Sequence, residues 1–213
     1  IGGIQASGCE AYYRLGVTIE WGSKKITSLP PKEFAKWARI CEHVVRHYNE
    51  GWADGFRYGL KYWEIWNEPE NPGNEWGPCM WGGTKEEFFD LYRITAKHLR
   101  ACFPDIKIGG FGSCGFYPLT STTCPESYKE FIVWFHDFLK MAKETGAPVD
   151  FFSWHICNKF NAFNCIWFAA CCVVLAAAPD AHIPHAQHFG TGKQAVKGCR
   201  IIFAQPVIPT VGQ

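Results

Sequence analysis

Glu68 sits between Asn67 and Pro69, directly after the apolar segment Lys61–Trp66, and a carboxyl group so placed is a candidate for general acid/base work. Apolar neighbours such as Trp66 and Pro69 disfavour the charged form and so raise the proton affinity of the acid. The alternative is that Asn67 and Glu68 merely cap a loop or the next helix. Glu20, Ser113 and His155 also follow apolar, β-rich segments. Glu64 precedes Glu68 by an even count, so on a regular strand it points the same way. There it has Arg14 and Lys107 as ion-pair partners, a better use for it than chemistry. His182, His185 and His188 recur every third residue, but Pro184 inside the run discourages a helix that would gather them on one face. No metal site and no cofactor is expected.

The elements that must position these groups follow a strand-then-helix rhythm. Tyr12–Ile19, Lys61–Trp66, Ile106–Phe111 and Val149–Trp154 are short, apolar and rich in β-formers. One amphipathic helix lies between each pair. In the first, Phe34, Trp37, Ala38, Cys41, Val44, Val45 and Tyr48 share one face, with Pro31 suited to the first turn and Glu33 at its positive end. The second opens on Thr84-Lys-Glu-Glu87, a capping-box pattern, and the third on Ser127-Tyr-Lys-Glu130, stopping at Gly146. Strands spaced about 45 residues apart and joined by crossover helices form a parallel sheet. The fold class is therefore α/β. Glu20, Asn67, Glu68, Ser113 and His155 then gather at the carboxyl ends of the strands, the face that carries chemistry in a (β/α)8 TIM barrel. Such a barrel needs eight strands and about four βα units are readable here, so a partial barrel is expected.

Bulk properties narrow the partners. Formal net charge is +1, which offers no field for nucleic acid or an anionic membrane. The longest apolar run, Ile166 to Ala178, is shorter than the roughly 20 residues that span a bilayer. The eleven cysteines contain no Cys-x-x-Cys pair and are odd in number, which argues for reduced, mostly buried thiols and a cytoplasmic setting. No signal peptide is visible at the start. After His155 the chain changes character: five charged residues (Lys159, Asp180, Lys193, Lys197, Arg200) occur from Ile156 onward, and no capped amphipathic helix can be drawn. The expected organisation is a partial barrel over 1–155 and an irregular, atypical tail over 156–213.

The segment Tyr62-Trp-Glu-Ile-Trp-Asn-Glu-Pro69 resembles the acid/base strand of glycoside hydrolase family 39, the family of β-xylosidases and α-L-iduronidases. Arg14-Leu-Gly-Val-Thr-Ile-Glu20, Trp37-Ala-Arg39 with His47-Tyr-Asn-Glu-Gly51, Lys107-Ile-Gly-Gly-Phe-Gly112 and Asp150-Phe-Phe-Ser-Trp-His155 are similar to the family in the same order. The likeness runs from about residue 12 to 155. It implies a TIM barrel, a carbohydrate substrate of β-xyloside type, and Glu68 as the acid/base that protonates the leaving glycosidic oxygen. Beside it, Asn67 is suited to the sugar 2-hydroxyl. His155 resembles a histidine lining the sugar subsite. Trp76 and Trp81 either form a sugar platform or pack their loop, and Glu20 is either a sugar ligand or an ion-pair partner.

Retention needs a second carboxylate roughly 5 Å from the first, to attack the anomeric carbon. In the family this is a glutamate beyond the His155 motif, whereas here no glutamate follows Glu144 and Asp180 is the one carboxylate side chain in the tail. The expectation is a family 39 fragment, diverted near residue 156, for instance by a frameshift. It would hold the acid/base, lack the nucleophile and be inactive alone. The alternatives are a catalytically dead sugar-binding fragment and a truncated product without function, and open sheet edges would favour self-association.

Overall fold

The computed structural model describes residues 1–16, 28–73, 79–120, 124–156, 170–175 and 201–203. A short helix α1 (Gly2–Ala6) leads into β1 (Glu10–Leu15), followed by α2 (Phe34–Asn49), β2 (Tyr62–Ile65), α3 (Lys85–Cys102) and β3 (Lys107–Ser113). Then come α4 (Tyr117–Thr120), a 3₁₀ turn η1 (Glu126–Tyr128), α5 (Lys129–Thr145) and β4 (Phe151–Ile156). Two more strands, β5 (Ala170–Leu175) and β6 (Ile201–Phe203), lie in the tail.

Strands β1 to β4 are parallel and adjacent in chain order. Right-handed crossovers that wind steadily one way leave every helix on the same face. Accordingly α2 packs on α3, and α3 on α5. A doubly wound sheet would reverse its strand order and carry helices on both faces. Curvature points the same way. In a flat sheet β1 and β4 would stand about 14 Å apart, three strand spacings. Yet the Tyr12 hydroxyl on β1 lies 3.2 Å from the Ser153 hydroxyl on β4, and the Tyr12 and Phe151 rings are 5.6 Å apart. Only a sheet curled around these side chains brings them together. The four parallel strands, with α2, α3 and α5 between them, form an arc of a barrel.

The convex face is apolar. Leu15, Trp63, Ile65 and Ile108 meet the buried stripes of the helices, among them Val45, Phe88, Leu91, Leu99 and Phe138. Phe111 packs edge-on against Phe88, Phe138 and Phe152 with centroids 5.2–5.5 Å apart, the preferred geometry for aromatic rings. A bulge sets this up. The β3–β4 register passes from Gly109↔Phe151 to Gly112↔Ser153, three steps against two. Phe111 thereby faces the helices while Gly112 faces the concave side.

Local signals held unevenly. Thr84 makes the full capping box with Glu87, and Gly146 ends α5 in the left-handed conformation, as the sequence predicts. Ser127 does not cap α5: it falls inside η1, and the helix starts at Lys129 after Tyr128. A 3₁₀ turn seated on Pro125 uses the residues that the capping pattern would have used. Pro31 lies before the first helix rather than in its first turn, because α2 begins at Phe34 with Glu33 as its N-cap. Residues 17–19, expected to extend β1, lie outside the described residues, as does Asp180. The tail is not wholly irregular. Ala170–Leu175 pairs antiparallel with β4, and Ile201–Phe203 pairs parallel with β1. These strands occupy both ends of the sheet, in the order β5-β4-β3-β2-β1-β6.

Candidate active site

Past Ile65 the chain leaves β2 while staying tied to both neighbours. The Trp66 N–H donates to the Leu15 carbonyl at 2.7 Å, and the Glu68 N–H donates to the Gly112 carbonyl at 2.7 Å. Trp66 and Glu68 both have positive φ, 74° and 46°, a conformation that costs free energy for residues other than glycine. Packing holds it. The Trp66 indole N–H donates to the Met80 carbonyl at 2.8 Å, and its ring meets Trp81 and Trp37 at 5.2 and 5.9 Å. Gly16 makes room, since a Cβ there would lie 2.6 Å from the Trp66 ring.

The turn delivers the Glu68 carboxylate to the mouth of the concave face. His155 Nδ1 bonds its Oε1, and Asn71 Nδ2 donates to Oε2 at 3.1 Å. Arg14 Nη2 approaches His155 Nε2 at 3.4 Å. A carboxylate only accepts, so the Nδ1–H of His155 donates to Glu68. Arg14 also pairs through Nε with Glu64, which is fully buried and accepts from the Ser153 hydroxyl as well. Gly112 permits the crossing of β3, because a Cβ there would lie 2.7 Å from Arg14 Nη2. The concave face thus carries one continuous chain of polar contacts, Tyr12–Ser153–Glu64–Arg14–His155–Glu68, drawn from β1, β2, β4 and the turn after β2.

Burial alone would raise the Glu68 carboxyl. The bond from His155, that ring's charge, and bonds from Asn71 and Cys114 outweigh it and hold the carboxyl below the ordinary value of 4.5. Apolar surroundings therefore do not decide its protonation, contrary to expectation, because a histidine 87 residues away in sequence is its partner. Two residues on, Glu70 behaves oppositely. Its Oε1 accepts from the Ser113 hydroxyl at 2.6 Å and the Cys114 N–H at 2.7 Å, while its buried Oε2 has no hydrogen-bond partner among the described residues. Burial pushes its carboxyl up to about 8, with a smaller upward push from the charge of Glu68.

Of the residues singled out from sequence, Asn67, Glu68 and His155 come together at the mouth of the arc. Asn67 is buried, and its Oδ1 has no partner among the described residues. Ser113 joins them through Glu70. Trp81 offers no platform: it is 5 % exposed, its ring is wedged between Trp66 and Phe88, and its N–H is spent on the Thr84 carbonyl at 2.8 Å. Packing of the loop is its role. Glu20 and Trp76 lie outside the described residues. Glu64 pairs with Arg14, as expected, rather than with Lys107. Sequence reasoning missed Glu70, Asn71 and Ser153. The one available signal for Glu70 was its place two residues after Glu68, and nothing in that spacing announces a buried carboxyl.

The model of glycosyl hydrolases family 39 matches residues 21–170. Over 131 residues the chain is 33 % identical to a β-xylosidase of Geobacillus stearothermophilus and 27 % identical to a β-xylosidase of Caldicellulosiruptor saccharolyticus, covering 59 % of this chain and 21 % of each relative. It thus spans about a fifth of the length of these curated relatives. Among solved structures it is similar to a glucosidase from Croceicoccus marinus, with a TM-score of 0.54 and 26 % identity, over 72 % of this chain and 28 % of that one.

Proposed function

Because the chain belongs to glycosyl hydrolases family 39, we propose that it carries the acid/base part of a retaining, β-xylosidase-like exo-glycosidase, with Glu68 as that acid/base. The observation that carries the reading is the Glu68 carboxylate, fixed by His155 and Asn71 at the carboxyl-end mouth of a curled parallel sheet. In that role Glu68 gives a proton to the departing glycosidic oxygen and later takes one from water. Asn67 and His155 contact the sugar, and a buried amide oxygen with no partner among the described residues is a natural acceptor for a sugar hydroxyl. Glu20, which follows the first strand segment, and Trp76, in the loop after Glu68, complete the proposed contacts.

Alone, these 213 residues do not turn over substrate. The double displacement needs a nucleophilic carboxylate about 5 Å from the acid/base, and no glutamate follows Glu144. Glu68 is also in the wrong protonation state for the first step. A facing carboxylate would raise it; among the described residues the His155 bond instead favours the ionised form, which cannot donate. The test is hydrolysis of an aryl β-xyloside by the purified chain. Rates at the blank level, unchanged in Glu68→Gln, are expected; turnover that Glu68→Gln abolishes would overturn the claim of inactivity, with Asp180→Asn as the first control. Sugar contact is tested separately by calorimetric titration with a xylo-oligosaccharide. Weak binding lost in Asn67→Ala and His155→Ala is expected, and no binding by the parent chain refutes that part.

The proposed organisation is a partial barrel over 1–155 and a tail over 156–213, in a reducing, cytoplasmic setting. In its favour, the six cysteines among the described residues are thiols, with Cys9, Cys41 and Cys114 buried. No helix among the described residues is long and apolar enough to cross a membrane. Among the described residues β5 and β6 pair on one side only, and open edges favour self-association, which light scattering on the purified chain would report as mass above a monomer.

A further inference from the structure

On the helical layer, across the sheet from the Glu68 network, Glu42, His98 and Cys102 place one ligand atom each within 4.8 Å of one another. We propose that these three residues form a zinc site bridging α2 and α3. His98 and Cys102 are one helical turn apart, so both project from the same face of α3, and that face looks onto Glu42 of α2. The His98 Nε2 to Cys102 Sγ distance is 3.8 Å. Tetrahedral zinc, with bonds of about 2.0–2.1 Å to nitrogen and 2.3 Å to sulfur, holds such a pair roughly 3.6 Å apart. The nitrogen–sulfur pair therefore stands near the required separation before any ion arrives, while the Glu42 oxygen, 2.6 Å from Nε2, draws back to about 3.4 Å on loading.

The surroundings suit a cation. Glu42 Oε1 is held by Arg46 Nε at 2.8 Å, which leaves Oε2 turned toward His98 at 2.6 Å. Arg46 is itself fixed by Glu50 at 2.6 Å and lies over the Phe103 ring at 5.0 Å. It orients the carboxylate as outer partners of metal ligands do, and its own charge is balanced by Glu50. Cys102 ends α3, where the last carbonyls make the helix terminus negative. Imidazole, thiolate and carboxylate together favour zinc over calcium or magnesium, which take oxygen donors.

Loading is a simple exchange. Zinc replaces the hydrogen bond between Glu42 and His98; the ring proton that made this bond moves through water from Nε2 to Nδ1, which frees Nε2 for the metal, and the Cys102 thiol releases one proton as the sulfur–metal bond forms. A water completes the four ligands. Because the thiol must shed its proton to bind, loading strengthens as pH rises. The consequence is mechanical: the ion staples two helices otherwise joined there by packing and the Glu42–His98 hydrogen bond.

The test uses the whole chain and cobalt(II), whose bond to a thiolate gives a near-ultraviolet charge-transfer band. The band is expected on titration of the parent chain and should be lost or strongly reduced in Cys102→Ser and in His98→Gln. Spectra that do not change in either variant overturn the site. A second measurement needs no variant. Zinc should protect Cys102 from alkylation, mapped by peptide mass, while Cys79 reacts as before. Equal alkylation of Cys102 with and without zinc refutes the proposal.

Discussion

Glu70 makes stability depend on pH in a direction opposite to most carboxylates. Its ordinary value of 4.5 applies to the unfolded chain, whereas burial raises it to about 8 in the fold. Between these values the folded state keeps a proton that the unfolded state has released. Stability therefore falls as pH rises across that window. A shift of about 3.5 units, at roughly 1.4 kcal/mol per unit, bounds the loss at about 5 kcal/mol; water entry and relaxation around the carboxylate bring the expected figure to about 2–4 kcal/mol. Glu70→Gln imitates the protonated acid and keeps an oxygen for Ser113 and Cys114. Urea unfolding followed by tryptophan fluorescence, from pH 5 to 9, gives the contrast directly. Near pH 5 the two proteins should agree within about 1 kcal/mol. By pH 9 the parent should be the weaker by the stated margin. Subtracting the Gln curve removes other titrating groups. Parallel curves, or a parent that strengthens between pH 5 and 8, would refute the assignment of a buried protonated acid.

Three further expectations follow from the same geometry. Arg14→Met strands the fully buried Glu64 without its ion-pair partner and should cost about 3–5 kcal/mol in urea unfolding, part of it recovered in the double variant with Glu64→Gln. Phe138→Ala empties a fully buried site among Phe111, Tyr92 and Phe152 and should cost about 3–5 kcal/mol, seen as a lowered thermal midpoint. Glu68 has a depressed value, so its contacts contribute above pH 4.5 and are lost as pH falls through the folded value. Glu68→Gln should flatten the acid limb of the stability curve, and an unchanged limb would contradict the His155 pairing.

The rhythm of the fold is legible along the chain because its causes are local. Helical periodicity in Phe34–Tyr48, the Thr84–Glu87 box and the glycine at 146 each act within a few residues, and the structure follows them. The capping pattern at Ser127 failed for an equally local reason, since Pro125 begins a 3₁₀ turn that displaces the helix start to Lys129. The candidate acid was legible for a different reason: Trp-Asn-Glu-Pro after an apolar strand is a specific pattern, and the ordered segments around it tied it to a family.

Partners across the sheet were not legible, because no spacing encodes them. Tyr12 reaches Ser153 and Arg14 reaches His155 across 141 residues each, and Ser153 reaches Glu64 across 89. Those contacts exist because the sheet curls and because glycine at 112 leaves space above β3. The same curvature gives Glu68 a histidine that lowers its proton affinity and leaves Glu70 buried with a raised one. From residue types alone, Glu68 was the carboxyl expected to hold a proton. The sequence by itself determines which carboxylates and histidines are present and which strand each one ends; the tertiary structure decides which acid keeps its proton, since that depends on burial and on neighbours that chain order does not specify.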